Sequence, residues 1–121
     1  MNKKILIVDD QPEIRKLLAL TLGEDYEVIT ASDGTSALEA VRLHQPQAVL
    51  LDIMMPGQID GLQVLSTIKT TPISKNTHVA MITARGLATD YRLAVELGAD
   101  AYFIKPFSPL QLVNWLQEKL K

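Results

Sequence analysis

Five short apolar runs alternate with amphipathic segments along the whole chain, and this alternation constrains the fold more than any other feature. The runs cover residues 5–8, 27–31, 48–51, 79–82 and 101–104. The first run is continuously apolar, as expected for a strand that is covered on both faces. Strands that alternate with helices predict the α/β class, specifically a three-layer doubly wound (βα)5 domain with a five-stranded parallel sheet.

The segments between the runs carry apolar residues at three- and four-residue spacing, which is typical of helices that bury one face. Pro12 suits the first turn of the first helix, and Gly23 and Gly98 suit helix ends. Ser108 and Gln111 have capping-box spacing at the start of the last helix. The predicted buried faces are Ile14, Leu17, Leu18 and Leu22; Ala37, Leu38 and Val41; Leu62, Leu65 and Ile68; Tyr91, Ala94 and Val95; and Leu112, Val113, Leu116 and Leu120.

Length and composition favour one domain over residues 1–121 with a single core. The net charge is only −2 and the 12 Lys and Arg residues are scattered, so direct nucleic-acid binding has no support. Cysteine is absent, which excludes disulfides and thiolate metal sites and fits a reducing compartment. No apolar stretch approaches the roughly 18 residues of a membrane span. We therefore expect a cytoplasmic chain that does not enter a membrane.

Polar side chains follow four of the apolar runs, at or just after the ends of the predicted strands. They are Asp9, Asp10, Asp52, Thr83 and Lys105. Right-handed crossovers bring the carboxyl ends of parallel strands to one edge of the sheet, where ligands bind in such folds. With the flavodoxin-like strand order 2-1-3-4-5, the first and third strands are neighbours, and Asp10 and Asp52 face each other across the crevice.

Three adjacent carboxylates repel one another unless a cation neutralises them. Hard oxygen ligands without cysteine or clustered histidine favour Mg²⁺ or Mn²⁺. One aspartate then remains available as a nucleophile. Lys105 is suited to balance the charge of a phosphoryl group, and the Thr83 hydroxyl to donate a hydrogen bond to one of its oxygens.

The chain resembles the receiver domains of two-component response regulators. The matching pieces are ILIVDDQPEIR, VLLDIMMPG, DGLQVL, MITAR and GADAYFIKPF, in the order and spacing of that family over nearly the whole chain. The resemblance implies that Asp52 accepts a phosphoryl group from a phosphohistidine. It also implies that Asp10 and Asp52 bind Mg²⁺, that Asp9 ligates mainly through water, and that the backbone carbonyl of Met54 completes the protein ligands.

The resemblance also implies a switch that the new phosphoryl group operates. Thr83 corresponds to the hydroxyl that moves toward the phosphoryl oxygen, and Lys105 to the lysine that pairs with the phosphoaspartate. Tyr102 corresponds to the aromatic residue that turns inward when the hydroxyl moves. Such a switch is a two-state element biased by one dianion.

Two positions depart from the usual pattern of the family. The loop from Met55 to Gly61 carries one extra residue, for which we expect a bulged loop and a retained site. Gln11 stands where an acidic residue is common, which affects no expected metal ligand.

Met54 and Arg85 occupy the two positions that tune phosphoryl lifetime in the family. Both side chains are expected to hinder an attacking water, which predicts an acyl phosphate that lasts minutes or longer.

The partners that the resemblance implies are a histidine kinase or a histidine phosphotransferase, docked near residues 12–22. Residues 87–121 would carry the output surface, toward an output domain, a partner protein or a homodimer formed through helix 4, strand 5 and helix 5. The chain would be a signalling phosphoacceptor and not a metabolic enzyme, because it catalyses only its own phosphorylation and dephosphorylation.

Three other functions compete with this interpretation. A nucleotide or flavin binder lacks support because there is no G-x-x-x-x-G-K-[ST] motif. An aspartyl-phosphate phosphatase would need a second acid two residues after Asp52, where this chain has Met54. A pseudo-receiver that acts only as an interaction module remains the alternative.

Outside the predicted site, Trp115 is either a partner anchor or a flank residue of the last helix. His44 and His78 have no metal-ligand spacing and are expected at the surface or at a strand end.

Overall fold

A computed structural model describes residues 2–84 and 86–120. The strands are β1 (Lys3–Val8), β2 (Tyr26–Ala31), β3 (Ala48–Asp52), β4 (His78–Thr83) and β5 (Ala101–Ile104). The helices are α1 (Pro12–Leu22), α2 (Gly34–His44), α3 (Gly61–Thr70), α4 (Ala88–Glu96) and α5 (Pro109–Lys119). All strand pairs are parallel and their order is β2-β1-β3-β4-β5. The predicted (βα)5 flavodoxin-like fold is therefore confirmed.

Strand β3 lies at the centre of the sheet, between β1 and β4, and all five of its residues are buried. The register pairs Val8 with Leu51, Asp52 with Ile82, and Thr83 with Ile104. The last residues of β1, β3, β4 and β5 are therefore close to one another along one edge. This register, and not the sequence separation of the residues, is what assembles the site.

Alternate residues of the strands contribute to two separate apolar layers, because successive side chains point to opposite faces of the sheet. Leu6, Val49, Leu51 and Met81 belong to the layer that also contains Leu65 of α3. The other layer combines Ile5, Ile7, Leu50, Ala80 and Ile82 with Leu18, Leu22, Leu112 and Leu116 of α1 and α5. Both faces of the sheet are thus covered by helices, as the continuous apolar runs predicted.

Local signals explain where several helices begin and end. Asp33 and Asp60 are the N-caps of α2 and α3, and each forms a reciprocal capping box with the residue three positions on. The Ser108 hydroxyl accepts a hydrogen bond from the backbone N–H of Gln111 at 3.2 Å, at the predicted start of α5. Helix α1 ends at Gly23, whose φ of 61° lies in the left-handed region that favours glycine.

The predicted inner face of α4 was wrong in two of its three residues. Ala94 is fully buried, but Tyr91 and Val95 are 54% and 53% exposed. The inward face instead combines Ala94 with Asp90, which lies one turn earlier and is also buried. A buried carboxylate does not register in an apolar pattern, so the sequence placed the stripe on the wrong side of the helix. Leu17 of α1 is likewise 44% exposed, whereas Leu18 and Leu22 of the same helix are buried.

Trp115 packs against its own domain. Its ring makes edge-on contacts with Phe103 and His78, at centroid distances of 6.4 Å and 6.5 Å. It therefore belongs to the flank of the core, as one of the two sequence interpretations held, and His78 lies at the first residue of β4. No helix of the described residues is long and apolar enough to cross a membrane.

Candidate functional site

The carboxylates of Asp9, Asp10 and Asp52 converge at the carboxyl edge of the sheet. One oxygen from each lies within 4.8 Å of the others. Asp9 directly follows β1 and Asp52 is the last residue of β3, so both side chains are buried between neighbouring strands. Asp10 is one residue further along and exposed. The cluster is therefore buried at its base and open to solvent at Asp10.

Lys105 adds one positive charge to this cluster. Its Nζ donates to Asp9 Oδ2 at 2.8 Å and to Gln11 Oε1 at 3.4 Å, and lies 3.5 Å from Asp52 Oδ2. The side chain is only 13% exposed. Its position is set by the end of β5, where the Lys105 N–H donates to the Thr83 carbonyl at 2.7 Å. The Lys105–Pro106 peptide bond is cis.

Gln11 and Arg15 each donate a hydrogen bond to Asp9, and the sequence analysis predicted neither contact. The N–H of Gln11 donates to Asp9 Oδ1 at 2.9 Å, and Arg15 Nη1 donates to the Asp9 carbonyl at 2.6 Å. Gln11 also meets Lys105 through its side chain. Only their position in the sequence could have indicated these contacts, since both residues lie within one or two turns of the aspartate pair at the start of α1. Their residue types carried no such signal.

The environment of Asp52 disfavours its negative charge. Burial, together with the charge of Asp9, raises the pKa of Asp52 to about 6. Lys105 and the N–H of Met54, which donates to Asp52 Oδ1 at 3.2 Å, act in the opposite direction. Asp10 contributes to the increase as the smallest of these effects. One lysine therefore does not balance the three carboxylates, and the cluster has a deficit of positive charge.

The loop between β3 and α3 closes beside Asp52. The N–H of Gly61 donates to the Ile53 carbonyl at 3.0 Å, so residues 54–60 form a short excursion that returns to the end of the strand. A Cβ on Gly61 would lie 2.0 Å from the Asp52 carbonyl oxygen, which explains the glycine at this close approach. Gly57 has a φ of 99° and sits where the loop has open space around it.

The structure describes three of the four remaining predicted residues. Thr83 is fully buried at the last position of β4, the neighbour of β3. Tyr102 in β5 is half-buried and makes an edge-on contact with Tyr91 at a centroid distance of 5.2 Å. The side chain of Met54 is half exposed. Arg85, the second residue expected to tune phosphoryl lifetime, lies outside the described residues.

The donor set fits a small hard divalent cation. Three carboxylates within 4.8 Å offer oxygen ligands and a charge that one ammonium does not neutralise. Carboxylate oxygens are ligands that Mg²⁺ and Mn²⁺ prefer. Neither His44, at the exposed end of α2, nor His78, at the opposite edge of the sheet, belongs to the cluster.

Known proteins are similar to this chain over nearly its whole length. The sequence model of the response regulator receiver domain matches residues 5–117. The DNA-binding response regulator MtrA of Mycolicibacterium smegmatis is 40% identical over 124 residues, which covers 100% of this chain and 52% of MtrA. The alkaline phosphatase synthesis transcriptional regulatory protein PhoP of Bacillus subtilis is 42% identical over 113 residues, which covers 93% of this chain and 46% of PhoP. The chain thus spans about half the length of these curated relatives.

A solved structure, the CheY-like response regulator receiver domain protein of Methanospirillum hungatei, superposes with a TM-score of 0.91 at 29% identity. The alignment covers 99% of this chain and 94% of that protein. Family match, curated relatives and structural likeness point to one conclusion. The chain belongs to the receiver domains of two-component response regulators.

Proposed function

We propose that residues 1–121 form one receiver domain that accepts a phosphoryl group on Asp52 from the phosphohistidine of a histidine kinase or histidine phosphotransferase. The observation that carries this proposal is the position of Asp52, buried beside two other aspartates with a lysine ammonium 3.5 Å from its Oδ2. In the proposed step, a carboxylate oxygen of Asp52 forms the new P–O bond. The P–N bond breaks, and its electron pair returns to the imidazole of the donor.

The neighbours of Asp52 have distinct tasks in this step. The N–H of Met54 holds Oδ1, which leaves Oδ2 on the side of Lys105 as the candidate nucleophilic oxygen. Lys105 already pairs with Asp9 and is near enough to share its charge with an incoming phosphoryl oxygen. Gln11 and Arg15 keep Asp9 oriented while that pairing changes.

The metal ligands in this proposal are Asp9, Asp10, Asp52 and the backbone carbonyl of Met54. A bound Mg²⁺ or Mn²⁺ would supply the positive charge that the cluster lacks and would neutralise phosphoryl oxygens. The exposed Asp10 leaves that side of the cluster open to an incoming ligand.

Thr83 and Tyr102 are the proposed switch. Thr83 ends the strand next to Asp52, and its carbonyl accepts the hydrogen bond of the Lys105 N–H, so the ends of β4 and β5 are directly linked. The Tyr102 ring contacts Tyr91 of α4. A change at Thr83 therefore has a short physical route to the α4–β5 face.

That face is the proposed output surface. It presents the exposed apolar side chains of Leu87, Tyr91, Val95 and Ile104. A contiguous patch of exposed apolar side chains is typical of a surface that pairs with another protein. We propose that they contact a partner protein, an output domain or a second copy of the chain. An output domain is supported by the relative MtrA, a DNA-binding response regulator of which the matched region covers 52%.

The proposed docking surface for the kinase is α1. Leu17 and Leu20 are 44% and 72% exposed there, next to the residues that hold Asp9.

The cytoplasm is the proposed location, because the absence of cysteine fits a reducing compartment. The chain catalyses only its own phosphorylation and dephosphorylation. A pseudo-receiver is less favoured, because Asp9, Asp10, Asp52 and Lys105 form one connected cluster.

The test is intact mass after incubation with acetyl phosphate and Mg²⁺, for the wild type and for Asp52→Ala. We expect one adduct of about 80 Da on the wild type, and none on the variant or in EDTA. The decay of the adduct over time tests the predicted lifetime of minutes or longer. An adduct on Asp52→Ala would refute Asp52 as the acceptor. If the wild type shows none, absence of beryllofluoride binding would establish a pseudo-receiver.

A further inference from the structure

A cavity of about 310 Å³ lies at the edge of the sheet opposite Asp52. Lys3 begins β1, His78 begins β4, Gln47 directly precedes β3, and Lys119 is the last residue of α5. Because all strands are parallel, their first residues meet at one edge and their last residues at the other. The cavity is therefore separate from the aspartate cluster, across the full length of the strands.

The titratable side chains among the described lining residues of this cavity are all basic. Lys3, Lys119 and His78 line it, and no aspartate or glutamate is among its described lining residues. Within the described part of the chain, neither lysine forms an ion pair with a carboxylate. The whole chain carries 14 acidic residues against 12 Lys and Arg, so a described lining whose titratable residues are all basic does not follow from the overall charge.

Carboxamide groups add neutral donors beside these lysines. Gln47 Oε1 accepts a hydrogen bond from the Lys4 N–H at 2.7 Å, which orients the side chain and leaves its NH₂ group to donate. The Gln47 carbonyl accepts from the His78 N–H at 3.1 Å, so the two polar segments are held in a fixed relation. Asn76 supplies a second carboxamide, and Ile73 an apolar wall.

We propose that this cavity binds a small phosphate-bearing anion. Two ammonium groups that form no ion pair with a carboxylate of the described residues match the charge of a phosphate dianion, and the N–H donors match its several acceptor oxygens. The volume exceeds that of a phosphate group alone, so a small substituent has room against Ile73. The site uses none of the residues that surround Asp52, and it stands or falls independently of the phosphoacceptor proposal.

A structural explanation competes with this site. Lys119 lies in the last turn of α5, where a cation stabilises the negative end of the helix dipole. If that is its whole role, anions will show only weak and non-specific attraction to the lysines. Saturable binding that depends on Lys3 as well as on Lys119 separates the two accounts, because Lys3 belongs to a strand.

The experiment is a titration of the ¹⁵N-labelled chain with pyrophosphate in the absence of divalent cations, followed by amide chemical shifts. We expect saturable shifts at Lys3, Gln47 and His78, and none at Asp10. Lys3→Gln and Lys119→Gln should each weaken binding about tenfold, the effect of losing one charge-assisted hydrogen bond. Lys16→Gln removes the same charge from an exposed position of α1 and should leave the affinity within about twofold.

A parallel titration with malonate distinguishes phosphate from carboxylate recognition. Weaker binding of malonate supports the proposal, and equal or tighter binding overturns the assignment to phosphate. Shifts that rise linearly without saturation, or an equal loss for Lys16→Gln and Lys3→Gln, would show non-specific attraction and overturn the site. Matching thermal unfolding of the variants would establish that each remains folded.

Discussion

Replacing Asp52 with asparagine is expected to stabilise the fold, and the gain should depend on pH. Burial and Asp9 raise the pKa of Asp52 from its ordinary value of 3.8 to about 6. Between these two values the folded protein binds the proton more tightly than the unfolded chain does. The free energy of unfolding therefore falls as the pH rises through this window. Above it, the ionised carboxylate costs the folded state about 3 kcal/mol.

Asparagine fills nearly the same volume and cannot ionise, so it escapes this cost. Urea unfolding of the wild type and Asp52→Asn, in EDTA at several pH values between 4 and 8, measures the difference directly. We expect a small difference near the ordinary pKa of an aspartate, a rise through about pH 6, and a plateau near 3 kcal/mol. Asp25→Asn, at an exposed position, is the matched control and should show no such rise.

Two results would refute the reasoning. If the difference in the free energy of unfolding between the wild type and Asp52→Asn does not change with pH, the charge of Asp52 does not destabilise the folded state. A wild type more stable than the variant at neutral pH would mean that Lys105 more than compensates for burial and for Asp9. In either case the aspartate cluster would not have the deficit of positive charge that favours cation binding.

Three further predictions concern the same site. Mg²⁺ at a hundred times its dissociation constant should raise the free energy of unfolding of the wild type by about 2.7 kcal/mol. The same Mg²⁺ concentration should raise the free energy of unfolding of Asp10→Asn by much less. Equal gains would place the ion elsewhere. Lys105→Met should raise the pKa of Asp52 above about 6, because Lys105 lowers that pKa in the wild type. The pKa is measured from the carboxyl ¹³C shift of Asp52 as a function of pH. An unchanged pKa would contradict the pairing of Lys105 with Asp52. Gly61→Ala should cost about 3 kcal/mol in urea unfolding, because its Cβ would lie 2.0 Å from a backbone oxygen. Gly57→Ala, which meets nothing within 4 Å, should cost about 1 kcal/mol, and the reverse order would contradict the close packing.

The clustering of Asp9, Asp10, Asp52 and Lys105 could be predicted from the sequence, because each lies at or just after the end of a recognisable strand. Once the runs before Asp9, Asp52 and Lys105 are assigned as parallel strands, their ends must meet at one edge, whatever the details of packing. Gln11 and Arg15 could not be found in this way. Their contribution is a hydrogen bond to Asp9, and it depends on how α1 leaves the strand.

The sequence by itself determined the order of the elements, the parallel sheet and the edge at which the polar residues gather, because apolar periodicity and chain connectivity are local properties. Tertiary structure alone decided which side of α4 faces inward, since buried Asp90 is invisible to an apolar pattern. It also decided that Trp115 packs on Phe103 and His78. The raised pKa of Asp52 also depends on tertiary structure. Desolvation of the carboxylate and the charges around it arise only when distant segments are brought together.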